Sequence, residues 1–546
     1  MYKFKRVEDK KIRIKQANIF YNYSICFESF DVNLIQLAGK LLKEGFTEAV
    51  CFSDFKFLYL DSESEISLGV PEINDKDGRW DITLEEDIPK NVAQKVFSSL
   101  EIAFFENKAG KSQPHYLVAN LPPIVLALFE YELKLFPSVK IFADGIAVLS
   151  FQFDATWEGI SEDDFINRFL NLTNYNFDDI WIDRRLQKMD AELSLLNAFD
   201  NELSIAGTSI SSRAINRLKK QLKSDTEKVV KNALNKEGRN FDFNGQNLIL
   251  HSLAGSDTCD HRSFAGSLAI DIYIGAIQSI VNPKNAKTTP IYWSGRPSVS
   301  LLRFDKQPEE KRNFVEKHSK FLSKIMLRSA ASTTTLKGVE DLRLMDDYCL
   351  LANRAVLLWC WTKTRHEAEN AWSDEYTRAR VLENQARAQF VEYCSARIVR
   401  ACHWAQNPVS KVHLLYAYKN LGELNVSIRN SSHSGEIIDS IISIMEASGI
   451  PDMIEPSKEL AKFHLDELKY NAQTKVSRQA TLLTMIFGFV GTTSLAEFAF
   501  SPLIRYLYPS FAKFEVACIS LLGAGSFVGI TIFIIWHLFK WTSNSR

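Results

Sequence analysis

"KELAKFHLDELKYNAQTKVSRQATLLTMIFGFVG" runs from Lys458 to Gly491 and contains neither glycine nor proline before Gly488. Its first half is charged and its second half is not, so a single helix carries a polar stalk directly into an apolar span. With Ser457 as N-cap, the spacing predicts roughly forty helical residues, about 60 Å at the usual rise per residue. A helix that long and half exposed needs neighbours, which implies self-association. No charge occurs from Gln479 to Ala496, and Glu497 to Phe500 bring the run to bilayer length. A second apolar run, from Val516 to Phe539, is broken only by His537. The connector "SPLIRYLYPSFAKFE" (501–515) carries Tyr506, Tyr508 and Phe511, which suit a membrane interface.

The composition fits this division. In 546 residues, 65 Lys and Arg nearly balance 66 Asp and Glu, so there is no basic footprint for nucleic acid. The length suggests more than one domain. Eight cysteines are scattered without a C-x-x-C pair and read as reduced core thiols of a cytosolic compartment. The N-terminus, "MYKFKRVEDKKIRIKQ", has no apolar signal region, so the body is expected in the cytosol. Two spans then leave both termini inside. The cations flanking the hairpin (Lys475, Arg478, Lys540, Arg546), set against Arg505 and Lys513 in the connector, lean the same way.

Upstream, the pattern predicts an α/β cytosolic region over 1–307, with a subdomain boundary somewhere in 155–237. "AVCFSDFKFLYL" and "VKIFADGIAVLSFQFD" have strand character, the latter turning at Asp144-Gly145 in the manner of a type I′ hairpin. "DVNLIQLAGKLLKEG" and "PPIVLALFEYELKLF" have helical spacing, with Gly45 placed as a C-cap. From Ser161 to about Glu237 the pattern is helical, opened by the N-cap of "SEDDFINRFLNL". "NLILHSLAG", "LAIDIYIGAI" and "PSVSLLRFD" again read as strands. After Pro308 the pattern is almost wholly helical, giving a helical region and stalk over 308–475 and a membrane hairpin over 476–546.

Several constellations carry chemistry. At 100° per residue, Thr474, Ser477, Thr481, Thr484, Gly488, Gly491, Thr492 and Leu495 share about a third of the helix circumference. A hydroxyl and glycine stripe on a spanning helix can face water or can let helices pack closely. In the second run, Gly523, Gly525 and Gly529 suit packing. Glu497 falls nearly opposite the stripe and is expected at the outer interface, paired with Arg505 or Lys513, with Ser501-Pro502 ending the helix. Trp293 and Arg296, around a glycine turn, could hold a base and a phosphate. His251, Asp257, Cys259, Asp260 and His261 are metal-ligand types at no standard zinc spacing, so a metal site is left unassigned. The arginine-rich helix after Ser373, with Arg378, Arg380, Arg387, Arg397 and Arg400, reads as a solvated or subunit-facing surface. No nucleotide-loop, zinc-protease or nucleophile-elbow motif occurs, so no enzyme is expected.

"RQATLLTMIFGFVG" and the tail "IIWHLFKW", in a layout of α/β body, stalk, two spans and a short basic end, resemble the CorA family of divalent-cation channels and transporters. The resemblance implies a homo-oligomer, usually a pentamer, in a prokaryotic inner membrane. Its first spans would line a pore gated by the cytosolic part, with Mg²⁺ or another divalent cation as permeant or regulatory ion. The family's Gly-Met-Asn triplet is absent, its place falling near Phe498-Ala499-Phe500, which puts Mg²⁺ selectivity in question. The family also includes variants encoded beside type III CRISPR systems, which would add a small nucleotide messenger as ligand and an antiviral role. The alternative is a membrane-anchored ligand-binding or signalling protein whose two spans only tether it.

Overall fold

The computed structural model describes residues 11–27, 31–61, 63–76, 79–107, 115–128, 131–172, 178–183, 185, 235–243, 245–252, 273, 291–293, 296–305, 307, 314–332, 341–343, 348–362, 375–408, 410–429 and 435–543. The chain divides into two compact units, Met1–Ala461 and Lys462–Arg546.

The first unit is built on β1 (Arg13–Cys26), β2 (Ala49–Phe52), β3 (Phe57–Leu60), β4 (Ile66–Gly69), β5 (Glu72–Lys76), β6 (Arg79–Thr83), β7 (Tyr116–Asn120), β8 (Ile124–Leu128) and β9 (Tyr131–Phe142). It continues with β10 (Ile146–Ser161), β11 (Asp179–Asp183), β12 (Arg239–Phe243), β13 (Gln246–Ser252), β14 (Ile291–Trp293), β15 (Pro297–Phe304), β16 (Tyr348–Ala352) and β17 (Leu357–Trp361). Fifteen of these strands form one sheet whose main path is β12-β13-β11-β8-β9-β10-β1-β15-β17-β16. Among the described residues all strand pairings are antiparallel except that of β15 with β17, so hairpins rather than crossovers build most of the sheet.

Helices cover both faces of this sheet. They are α1 (Leu34–Lys43), α2 (Lys90–Asn107), α3 (Glu162–Asp164, continued by a π turn over Phe165–Leu170), α4 (Phe314–Lys317), α5 (Ser319–Met326), α6 (Glu375–Gln406), α7 (Lys411–Arg429) and α8 (Gly435–Ala447). The side chains of β1 alternate between two cores. Ile19, Tyr21, Tyr23 and Ile25 join the core with α1 and α5, while Phe20 and Cys26 join the core with α6, α7 and α8.

Local chemistry explains the elements that match expectation. α1 closes with Gly45 at φ 74°, its N–H bonding Leu42 O at 3.0 Å while Phe46 N–H bonds Leu41 O at 3.0 Å. Only glycine takes that left-handed conformation without strain. At the start of α3, Ser161 Oγ accepts from Asp164 N–H at 3.1 Å, as the N-cap reading requires. Ser161→Ala should cost about 1 kcal/mol, read as a lowered denaturation midpoint.

Elsewhere the structure corrects the pattern. "PPIVLALFEYELKLF" forms β8 and β9 instead of a helix. Glu132, Lys134 and Phe136 point out while Leu133 and Leu135 point in, a period of two that helix-favouring residues disguised. The β9–β10 turn is a three-residue loop, with Gly145 N–H bonding Phe142 O at 3.0 Å and positive φ at Gly145 alone, so it is not type I′. Strand β11 interrupts the helical reading after Ser161, and 186–234 lies outside the described residues. Strands β16 and β17 follow position 308, where the pattern reads as helical. Of "LAIDIYIGAI" only Tyr273 is described, and it is helical.

α6 is the largest revision. It is packed between the sheet and helices α7 and α8, and Glu392, Ser395 and Arg400 are fully buried, so it is not a solvated surface. Arg400 donates to Asp144 O at 2.8 Å, to the Tyr416 hydroxyl, and lies 5.1 Å from the Trp404 ring centroid. Tyr393 donates to the Asp144 carboxylate at 2.9 Å, and burial raises its hydroxyl pKa well above the ordinary value. These contacts fasten the β9–β10 turn to α6. Burial also pushes the Cys26, Cys51 and Cys394 thiols up to about 12, which keeps them unreactive.

Candidate functional site

The second unit centres on α9 (Ile454–Leu495), a π turn over Ala496–Phe500, α10 (Ser501–Leu507) and α11 (Lys513–Ser543). α9 starts three residues before the expected N-cap, so Ser457 lies inside it and is buried. Pro456 falls in its first turn, where an N–H has no helical acceptor to lose.

Because α9 is unbroken to Leu495, one helical phase holds along its length. Ser477, Thr481, Thr484, Gly488, Gly491, Thr492 and Leu495 therefore share one face. Each described threonine hydroxyl on this face donates to its own helix: Thr481 to Ser477 O at 2.9 Å, Thr484 to Ala480 O at 2.8 Å, Thr492 to Gly488 O at 2.6 Å. The donors are thus satisfied without solvent, and the hydroxyl oxygens keep free lone pairs. The stripe offers acceptors, the chemistry that suits a cation. Nothing lies within 4 Å of a Cβ placed on Gly488 or Gly491.

The surroundings of these helices differ from those of a soluble core helix. Two helical stretches, Pro451–Leu507 and Lys513–Ile534, are long and apolar enough to cross a bilayer, and only 6% and 11% of their most apolar segments are buried within the chain. A core helix of a soluble protein would be mostly covered. Phe487 and Phe489 are 72% and 71% exposed, a state that water would penalise and lipid or a neighbouring subunit would not.

The hairpin closes at its connector end. Val516, Ser520 and Ala524, four residues apart on α11, are buried, and α11 packs on the π turn and α10. A Cβ on Gly523 would stand 3.0 Å from Phe500 Cδ1, so the missing side chain admits that ring, whereas Gly525 and Gly529 border open space. Of the three glycines expected to serve packing, Gly523 does so within this chain. Tyr508 stacks on Phe511 at 5.2 Å in the connector, and Glu515 caps the Ala512 N–H at 3.0 Å.

Glu497 sits inside the π turn. Ser501 N–H bonds Ala496 O across that turn, and the helix passes through Pro502 to Leu507 instead of stopping there. The widened turn precedes Pro502, which lacks an N–H and so weakens the helical ladder there. Glu497, Arg505 and Lys513 are all exposed, and among the described residues no ion pair joins Glu497 to either cation, contrary to the expected pairing. Two residues of π turn do not carry Glu497 round to the stripe. Glu497→Gln should therefore leave the reversal potential of any cation current unchanged, and a shifted potential would place the carboxylate in the ion path.

The other candidate residues fall in the first unit. Arg296 is turned inward, its Nε donating to Glu392 at 2.8 Å and its Nη1 to Asn353 O at 2.6 Å, so its fork is not presented to a phosphate. The signal in the sequence was Glu392 on the buried helix, which no local pattern connects to Arg296. Trp293 ends β14 opposite Ser24 of β1, and its ring is outside the described side chains. His251 faces Lys236 O at 3.1 Å, while Asp257, Cys259, Asp260 and His261 lie outside the described residues. Among the described residues no three His, Cys, Asp or Glu side chains gather as a metal cage.

No protein-family model matches the chain, and no curated protein matches it in sequence. Among solved structures it is similar to the CorA magnesium transporter of Methanocaldococcus jannaschii at 11% identity, covering 46% of this chain and 95% of that one with a TM-score of 0.16. A superposition at that score does not establish a shared fold. What the chain itself presents is a large sheet unit with a helical region, a long helix entering an apolar segment, and a second apolar helix, the two together forming candidate membrane spans.

Proposed function

We propose that the protein is a homo-oligomeric membrane cation channel or transporter of CorA-like layout, its pore lined by the stripe of α9 and gated by the first unit. The observation that carries this reading is the uncovered face of Thr481, Thr484, Gly488, Gly491 and Thr492 on an unbroken helix within an apolar span. Copies of α9 around an axis would give that face water and cations and would cover the apolar residues beside it. No amide stands where the family's triplet would be, so discrimination among hydrated cations is expected to be weak, with Mg²⁺ one permeant ion among several. A nucleotide messenger of the type III CRISPR-linked variants would act through the first unit. Arg296 is not its contact, since Glu392 holds it.

Purified full-length protein in detergent, then in liposomes loaded with a cation indicator, tests the reading. An oligomer that conducts supports it, with or without added nucleotide. A monomer that does not conduct leaves the spans as a tether.

A further inference from the structure

On the sheet face beneath α6, four uncharged polar side chains meet in the interior. Asn22 and Ser150 pair across β1 and β10, and Ser150 Oγ donates to Asn22 Oδ1 at 2.6 Å. From α6, Gln385 Nε2 donates to the same Asn22 oxygen at 3.1 Å and Gln389 Nε2 to Ser150 Oγ at 2.9 Å. Each amide thus spends one end and leaves the other unspent: Asn22 Nδ2, Gln385 Oε1 and Gln389 Oε1 are buried without a partner among the described residues.

Further along the same face, Asn18 stands in register with Ser300, and Ser300 with Trp359. Both ends of the Asn18 amide and Trp359 Nε1 are likewise unspent, although Asn18 and Trp359 are fully buried. Desolvating an amide with nothing in return costs roughly 1–3 kcal/mol, and a run of such losses on one interface is not tolerated by a marginally stable fold.

We propose that this seam between α6 and the β10–β1–β15–β17 face binds ordered water molecules. The chemistry selects water over an ion or an apolar group. The free atoms include donors (Asn18 Nδ2, Asn22 Nδ2, Trp359 Nε1) and acceptors (Asn18 Oδ1, Gln385 Oε1, Gln389 Oε1), and none is charged. A molecule that both donates and accepts meets that set. The inference does not depend on the channel reading.

The test pairs two measurements on the full chain. A structure at a resolution that shows solvent should place ordered peaks within about 3.2 Å of Asn18 and of Asn22 Nδ2. Direct contacts that pair the free atoms of Asn18, Asn22, Trp359, Gln385 and Gln389, or a larger bound molecule there, would overturn the proposal. Asn18→Leu should lower the apparent Tm by several degrees, because it strands waters and their other partners. A dry seam predicts the reverse, since removing an unpaid amide would raise Tm. If Asn18→Leu does not fold, the milder Asn18→Ser, which keeps a hydroxyl for water, should fold with a smaller fall than Asn18→Ala. An equal fall for both would overturn the hydrated seam.

Discussion

Thr484→Leu and Gly488→Leu should each abolish cation flux through reconstituted protein while leaving its folding and oligomeric state unchanged. The reason is geometric. Both positions lie on the face shared by Thr481 and Gly491, and nothing within 4 Å of Gly488 would resist a side chain in the isolated chain. The leucine is therefore accommodated by the helix but projects into the space that the proposed ring encloses. In a ring of copies, one substitution is repeated at one level, so several isobutyl groups meet there. A narrow apolar constriction empties of water, and conduction stops without any change of fold. The hydroxyl lost in Thr484→Leu donates to Ala480 O, a bond the helix does not need because its backbone is already paired, so stability should change by less than about 1 kcal/mol. Circular dichroism and detergent mass separate a blocked pore from a misfolded one. Full flux through folded Thr484→Leu oligomers would remove the stripe from the ion path.

Glu392→Ala should strongly destabilise the first unit. Glu392 and Arg296 bond at 2.8 Å with side chains 0% and 2% exposed, so neither has solvent to fall back on. Removing the carboxylate leaves a buried guanidinium held, among the described residues, only by the Asn353 carbonyl, with a cost of about 3–5 kcal/mol. The double variant Arg296→Met, Glu392→Leu should recover most of this loss, because it removes both charges and fills similar volume. Chemical denaturation of the three proteins measures the difference. A double variant as unstable as Glu392→Ala would mean that the pair acts through something other than uncompensated charge.

The sequence disclosed the second unit better than the first, and the physical reason is periodicity. α9 declares itself through forty residues without a breaker, and both apolar segments through length alone. Gly45 and Ser161 are equally local signals, each set by one backbone conformation or one side-chain hydrogen bond. β8 and β9 escaped because Leu, Glu and Lys favour helices in isolation, while β11, the outer partner of β8, lies far along the chain. α6 escaped for a related reason. Its arginines look solvated until Asp144 of the β9–β10 turn and Tyr416 of α7 are brought against Arg400, neither of which is its neighbour in sequence. Past Leu495, a helical wheel drawn at constant pitch could not foresee the π turn that carries Glu497 and lets the helix continue through Pro502.

The claim that the α9 stripe lines a water-filled path is tested most directly by thiol accessibility during flux. Cys518 is exposed, so Cys518→Ser provides the background; the other described cysteines are buried. Thr484→Cys on the stripe and Ile486→Cys, about 200° away on the helix, are then treated with a charged methanethiosulfonate that does not cross membranes. The account predicts rapid block of flux at Thr484→Cys and none at Ile486→Cys. Block at Ile486→Cys with no effect at Thr484→Cys would contradict it.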